Sequence, residues 1–104
     1  MAITLNIFDD SGWTEAGGYQ AGTRKKILHD QNGVMTFLMS VPAGVTLPQQ
    51  SHPFVEEHII LKGRFLHEGK AIPGGTFQHF EPDEVHGPFE CPEKVLALVI
   101  YYPR

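Results

Sequence analysis

A chain of 104 residues, 41% apolar and 19% charged, is long enough for one hydrophobic core and too apolar for a disordered segment. Its formal charge is −4 and its only basic cluster is Arg24-Lys25-Lys26, so a nucleic-acid partner has no electrostatic support and the triplet reads as a solvated strand or loop. The single cysteine, Cys91, excludes an intramolecular disulfide. It fits a reducing compartment and reads as a small buried apolar residue rather than a thiolate nucleophile. No stretch approaches membrane-spanning length and no basic leader precedes an apolar run, so no membrane partner and a cytoplasmic location are expected.

In chain order, Ile3, Leu5 and Ile7 alternate with polar residues and predict a short first strand. A polar, glycine-bearing loop follows over 9–22, in which Trp13 is expected to plug one edge of the core. Residues 23–29 predict a second strand, closed by the turn Asp30-Gln31-Asn32-Gly33. Met35, Phe37, Met39 and Val41 alternate along a third, and Pro42, Gly44 and Pro48 then argue against helix. Residues 55–61, 64–67 and 76–80 predict further strands. The run 94–102, almost continuously apolar, predicts a strand buried on both faces or lying in an interface. With eight prolines, eleven glycines and no amphipathic helix, the class is all-β, a sandwich or barrel of short strands.

The chemistry concentrates in residues 44–63, GVTLPQQSHPFVEEHIILKG. In an extended segment Gln50 and His52 point the same way, with Cα atoms about 6.6 Å apart. On a strand over 55–61, Glu56, His58 and Ile60 share one face and Glu57 the other. If that face is interior, a buried carboxylate is costly unless paired or coordinated, and a cation is its cheapest neighbour. The second half of the site is expected from 75–86.

The spacing Gly44-x5-Gln50-x-His52-x3-Glu56-x6-Gly63 resembles the first cupin motif, with Gln50 where the first histidine is expected. Gly75-x5-Glu81-x-Asp83-x2-His86 resembles the second, with the proline displaced to Pro82 and the second glycine replaced by Asp83. Trp13, Gly22-x-Arg24-Lys25, Pro42-x-Gly44, Glu56-Glu57, Leu61-x-Gly63-x-Phe65, Pro73-x-Gly75-Thr76 and His86-x-Pro88 resemble the ChrR-type cupin subfamily. That group includes the metal-binding domain of a zinc-dependent anti-sigma factor and acetylacetone-cleaving dioxygenases.

The resemblance implies one cupin domain over 1–104, a double-stranded β-helix (jelly-roll barrel). It places the metal-ligand positions on Gln50, His52, Glu56 and His86. The cofactor it implies is one divalent transition metal, with iron, zinc, manganese or nickel all compatible with two histidines and a carboxylate. Gln50 departs from the pattern: its amide can ligate weakly, orient a metal-bound water or contact substrate.

His58 stands open as proton shuttle, alternate ligand or satisfied core histidine. Phe37, Met39, Ile60 and Phe77 are expected to line an apolar pocket, with His79 on the parity of Phe77. His29 and His67, beside turns, are expected to be exposed. The implied function is a metal-dependent enzyme, dioxygenase-like or an isomerase, on a small organic substrate. The alternative is a non-catalytic ligand- or metal-sensing cupin. The apolar surfaces of 95–102 and of Ile3, Leu5 and Ile7 further suggest a homodimer.

Overall fold

The computed structural model describes residues 2–103, and among them there is no helix. Ten antiparallel strands follow in order: β1 Thr14–Glu15, β2 Arg24–Gln31, β3 Val34–Val41, β4 Thr46–Leu47, β5 Val55–Lys62, β6 Arg64–His67, β7 Lys70–Pro73, β8 Phe77–Phe80, β9 Phe89–Glu90 and β10 Val95–Tyr102. They form a six-stranded sheet, β1-β2-β3-β10-β5-β8, and a four-stranded one, β4-β9-β6-β7. This is the all-β jelly roll expected, with the short strands β1, β4, β7 and β9 added.

Turn chemistry sets two of the registers. Gln31 pairs with Val34 across Asn32-Gly33, and His67 with Lys70 across Glu68-Gly69. All four loop residues have positive φ, the geometry that two-residue hairpins require.

The core lies between the sheets. Phe37, Met39 and Val41 of β3 face Phe65 and Phe89 of the small sheet, joined by Ile60 and by Val95, Ala97 and Val99 of β10. β10 owes its continuous apolar run to its place in the middle of the large sheet, where β3 and β5 flank it. Its alternate residues Leu96, Leu98 and Ile100 are half-buried on the outer face. Cys91 is buried in the same core, and burial pushes its thiol up to about 11, which suits packing and not nucleophilic chemistry.

Four expectations are corrected. Ile3, Leu5 and Ile7 form no strand, and Ile3 and Leu5 are 55% and 52% exposed. Alternation alone does not make a strand; β1 takes only Arg24 and Lys25 of the β2 edge, and Ile3, Leu5 and Ile7 lie beside Leu28, His29 and Thr36 without joining the sheet. Lys26 is not solvated: it is 6% exposed, its Nζ donates to the Asp9 carbonyl at 2.8 Å, and its stem runs against Gly12. Trp13 does not plug the core. It is half-buried in the wall of a groove on the outer face of the large sheet. His67 is only partly exposed, its Nδ1 bonded to the Pro88 carbonyl at 2.9 Å.

Gly63, between β5 and β6, has φ +76°, and a Cβ there would lie 2.1 Å from the Lys94 carbonyl oxygen. Gly69 has the same φ with nothing within 4 Å. The pair separates backbone strain from close approach. Gly69→Ala is expected to cost about 1 kcal/mol and Gly63→Ala about 3 kcal/mol or more, measured by urea unfolding. Equal losses would remove the close-approach argument.

Candidate metal centre

Backbone pairing assembles the site. Gln50 and His86 form an isolated antiparallel bridge with both N–H···O bonds at 2.9 Å. Asp83 N–H donates to the His52 carbonyl at 2.6 Å. Asp83 itself has φ +66°, so the position where the resemblance expects glycine does need left-handed backbone, which aspartate tolerates better than most residues. These bonds hold the segment before β9 against the segment before β5. On β5 the period of two turns Glu56, His58 and Ile60 inward, at 4%, 8% and 0% exposure.

Glu56 is the hub. His52 Nε2 lies 3.2 Å from its Oε1, and His86 Nε2 lies 3.4 Å from its Oε2. His58 Nε2 hydrogen-bonds to Oε2, and as an ionised carboxylate only accepts, the imidazole is the donor. The other nitrogen of His58 faces Gln78 Oε1 at 3.3 Å. His86 Nδ1–H donates to the Glu84 carbonyl at 3.3 Å, so Nε2 is the atom this ring offers to the cluster. The ligand atoms of His52, Glu56 and His86 all lie within 4.8 Å of one another.

Gln50 joins from the side. Its Oε1 is 3.1 Å from His52 Nε2, and its amide is held by the Tyr19 hydroxyl, 3.1 Å from Nε2 and 3.3 Å from Oε1. The His52 ring stacks on Phe54, centroids 4.9 Å apart, and tilts against Tyr101.

The electrostatics follow from burial and pairing. Desolvation pushes the Glu56 carboxyl up, but the hydrogen bonds and charges of His58 and His86 outweigh it and hold the group down at about 2. Burial pulls the other way on His86, and the Glu56 carboxylate overcomes it, raising the imidazole above its ordinary range. Burial raises the Tyr19 and Tyr101 phenols, with Glu56 adding to both, so both remain donors.

One buried atom of the cluster is left over. Glu56 Oε1 has no hydrogen-bond partner, because His52 Nε2 is near it but outside hydrogen-bonding geometry. Orphaned buried carboxylate oxygens are costly and rare. Two imidazole nitrogens and a carboxylate oxygen converging at this point form a donor set that could hold a divalent metal ion.

The cluster borders a narrow, largely apolar cavity walled by Met39, Phe65, Phe89, Val99, Tyr19 and Tyr101. Gln50, Glu56, His58 and His86 line it; His52 sits at its rim, its side chain 24% exposed. Of the residues expected to line it, Met39 and His58 do. Phe37 and Ile60 point inward but are packed into the core away from the cavity.

Phe77 and His79 are corrected: they occupy the outer face of β8, with Phe77 58% exposed. His79 is bound between Glu57 Oε2 at 2.8 Å and Glu81 Oε1 at 3.1 Å, and those hydrogen bonds raise its pKa. Gln78 and Phe80 take the inward parity instead. Their signal was present but ambiguous, since each parity of 77–80 carries one phenylalanine. Tyr19 and Tyr101 gave no sequence signal, because neither stands at a motif position.

The shifted groups have opposite pH signatures. Glu56 is depressed in the folded state, so its stabilisation is present above the ordinary 4.5 and is lost as pH falls toward about 2. His86 is raised, so its contribution is full below the ordinary 6.5 and is lost as pH rises through the raised value. Both act at full strength between 4.5 and 6.5. Thermal unfolding of chelator-treated protein should therefore peak in that window and fall on each side, and Glu56→Gln should flatten the profile. An unchanged profile in the variant would refute this assignment.

A search of curated protein sequences found no match. Among solved structures, an acetylacetone dioxygenase from Acinetobacter johnsonii superposes with TM-score 0.80 at 15% identity, over 98% of this chain and 75% of that one. KdgF from Halomonas sp. gives 0.78 at 17% identity, covering 100% and 94%. The structure of Rhodobacter sphaeroides SigE in complex with the anti-sigma ChrR gives 0.73 at 24%, covering 90% of this chain and only 50% of the matched one. Likeness at these identities establishes the fold, which these proteins share with the present chain. The family itself is shown by a profile described as the ChrR cupin-like domain, which matches residues 3–103; the chain belongs to that family.

Proposed function

We propose that this cupin is a metal-dependent enzyme, dioxygenase-like or an isomerase, acting on a small organic molecule admitted to the cavity. The observation that carries the reading is the buried Glu56 carboxylate at the edge of an apolar cavity, its Oε1 unpartnered and its two oxygens 3.2 Å from His52 Nε2 and 3.4 Å from His86 Nε2. His52, Glu56 and His86 would hold one divalent ion, with iron, zinc, manganese and nickel all compatible with the donors. Bound there, such an ion supplies Lewis-acid polarisation of a substrate oxygen and, if it is iron, access to dioxygen chemistry.

The remaining residues have distinct tasks. His58, fixed between Glu56 Oε2 and Gln78, is a positioning residue that keeps Oε1 turned to the cluster. Gln50, its amide oriented by Tyr19, offers a neutral hydrogen-bonding group in place of a fourth strong ligand and so leaves room for substrate oxygens. Met39, Phe65, Phe89 and Val99 exclude water and favour a small organic body over a phosphate. The names of two similar folds, an acetylacetone dioxygenase and a predicted oxalate decarboxylase from Thermotoga maritima (20% identical, TM-score 0.68), support small oxygen-rich substrates.

The second reading is a sensing or regulatory cupin, supported by the likeness to the structure of ChrR bound to SigE. Elemental analysis of protein purified without added metal should find about one equivalent, reduced at least tenfold in His52→Ala and His86→Ala. Unchanged metal in both variants would remove the centre. Oxygen uptake and substrate loss against β-diketones and catechols then decide between the readings: turnover supports the enzyme, and saturable binding without turnover supports the sensor.

Self-association belongs to the same reading. β10 is accounted for by its central place in the sheet, but Ile3 and Leu5 remain more than half exposed. Light scattering should show a dimer, and a monomer at every concentration would remove the proposal.

A further inference from the structure

We propose that the outer face of the large sheet carries a second binding site, for an elongated organic dianion with an apolar middle, such as a medium-chain dicarboxylate. The proposal is independent of the metal centre, which lies on the opposite face.

The floor is a single cross-strand row. Arg24 of β2 pairs with Ser40 of β3, Ser40 with Leu96 of β10, and Leu96 with Lys62 of β5. Cross-strand partners project to the same face, and three strand spacings separate Arg24 from Lys62 by about 14 Å. Ser40 and Leu96, half-buried, form the middle, with an exposed cation at each end. Lys94, in the turn before β10, adds a third.

The segment 7–13 makes the other wall, with Phe8 and Trp13 facing the row across a groove of about 710 Å³. This wall is fastened from below. Lys26 Nζ donates to the Asp9 carbonyl at 2.8 Å, and Arg24 Nη2 donates to the Trp13 carbonyl at 3.4 Å.

Charge and shape select the occupant. Lys62 Nζ sits 4.7 Å from the Phe8 ring centroid, and the only Lys or Arg ion pair among the described residues, Arg64 with Glu93, lies elsewhere. Of the two acids in the groove, Asp9 already accepts the Ser11 N–H at 2.8 Å. Cations at both ends of a groove whose middle is Leu96 and Ser40 below, with Phe8 and Trp13 opposite, suit two acid groups joined by an apolar spacer. A phosphate could meet only one end and would leave Leu96, Phe8 and Trp13 facing water.

Trp13 is the only tryptophan in the chain, so its emission reports on this groove alone. Octanedioate titrated into the full chain at low ionic strength should shift that emission saturably, with calorimetry giving the same midpoint. Octanoate should bind at least about tenfold more weakly and octane-1,8-diol more weakly still. Added salt should weaken the dianion most. Lys62→Glu and Lys94→Glu, both at exposed positions, should each cost at least about tenfold with unchanged circular dichroism. The proposal is overturned if wild type gives no saturable response below about 10 mM, if octanoate binds as tightly as octanedioate, or if both variants bind like wild type.

Discussion

A negative charge carried into the interior of a small β-barrel has to be met where it sits, and Glu56 imposes that requirement on everything around it. The carboxylate is 4% exposed on the inward face of β5, one strand position from the barrel core. Its neutralisation takes groups from three separate places: His52 from the approach to β5, His58 from β5 itself and His86 from the segment before β9. Three imidazoles around one carboxylate still leave Oε1 without a proton to accept. Folding alone therefore leaves this oxygen unsatisfied, and the donors around it could hold an ion.

The convergence depends on backbone more than on side chains. The Gln50–His86 bridge and the Asp83–His52 bond lock two segments more than thirty residues apart, so both imidazoles arrive already aimed. Orientation is then finished by weaker contacts: Glu84 fixes the His86 ring, His52 packs in a three-ring cluster with Phe54 and Tyr101, and Tyr19 holds the Gln50 amide. Each removes rotamer freedom before any ligand binds, so less entropy is lost on binding.

The two faces of the large sheet meet different surroundings. Its inner face supplies β5 and β10 to the cavity, while the outer face is covered by segment 7–13, under which even Lys26 is buried. A groove lined by cations and aromatics lies between this cover and the sheet. Both faces come from one alternation, in which odd and even residues of a strand meet different surroundings.

That alternation explains what could be read in advance. Within β5 the period of two determined that Glu56, His58 and Ile60 share a face, and the motif spacings singled out His52 and His86, because these depend only on local geometry and fixed sequence separation. Strand existence was legible for the same reason wherever apolar residues alternate and a turn closes the segment, as at Asn32-Gly33. The tertiary structure alone decided which parity of β8 faces inward, since Phe77 and Phe80 sit on opposite faces and only the pairing with β5 chooses between them. It alone denied Ile3, Leu5 and Ile7 a strand, buried Lys26, and brought Tyr19 to Gln50 from 31 residues away. Those outcomes turn on which segments pair and which loop closes over which face, and contacts between distant segments leave no periodic trace in the residues that make them.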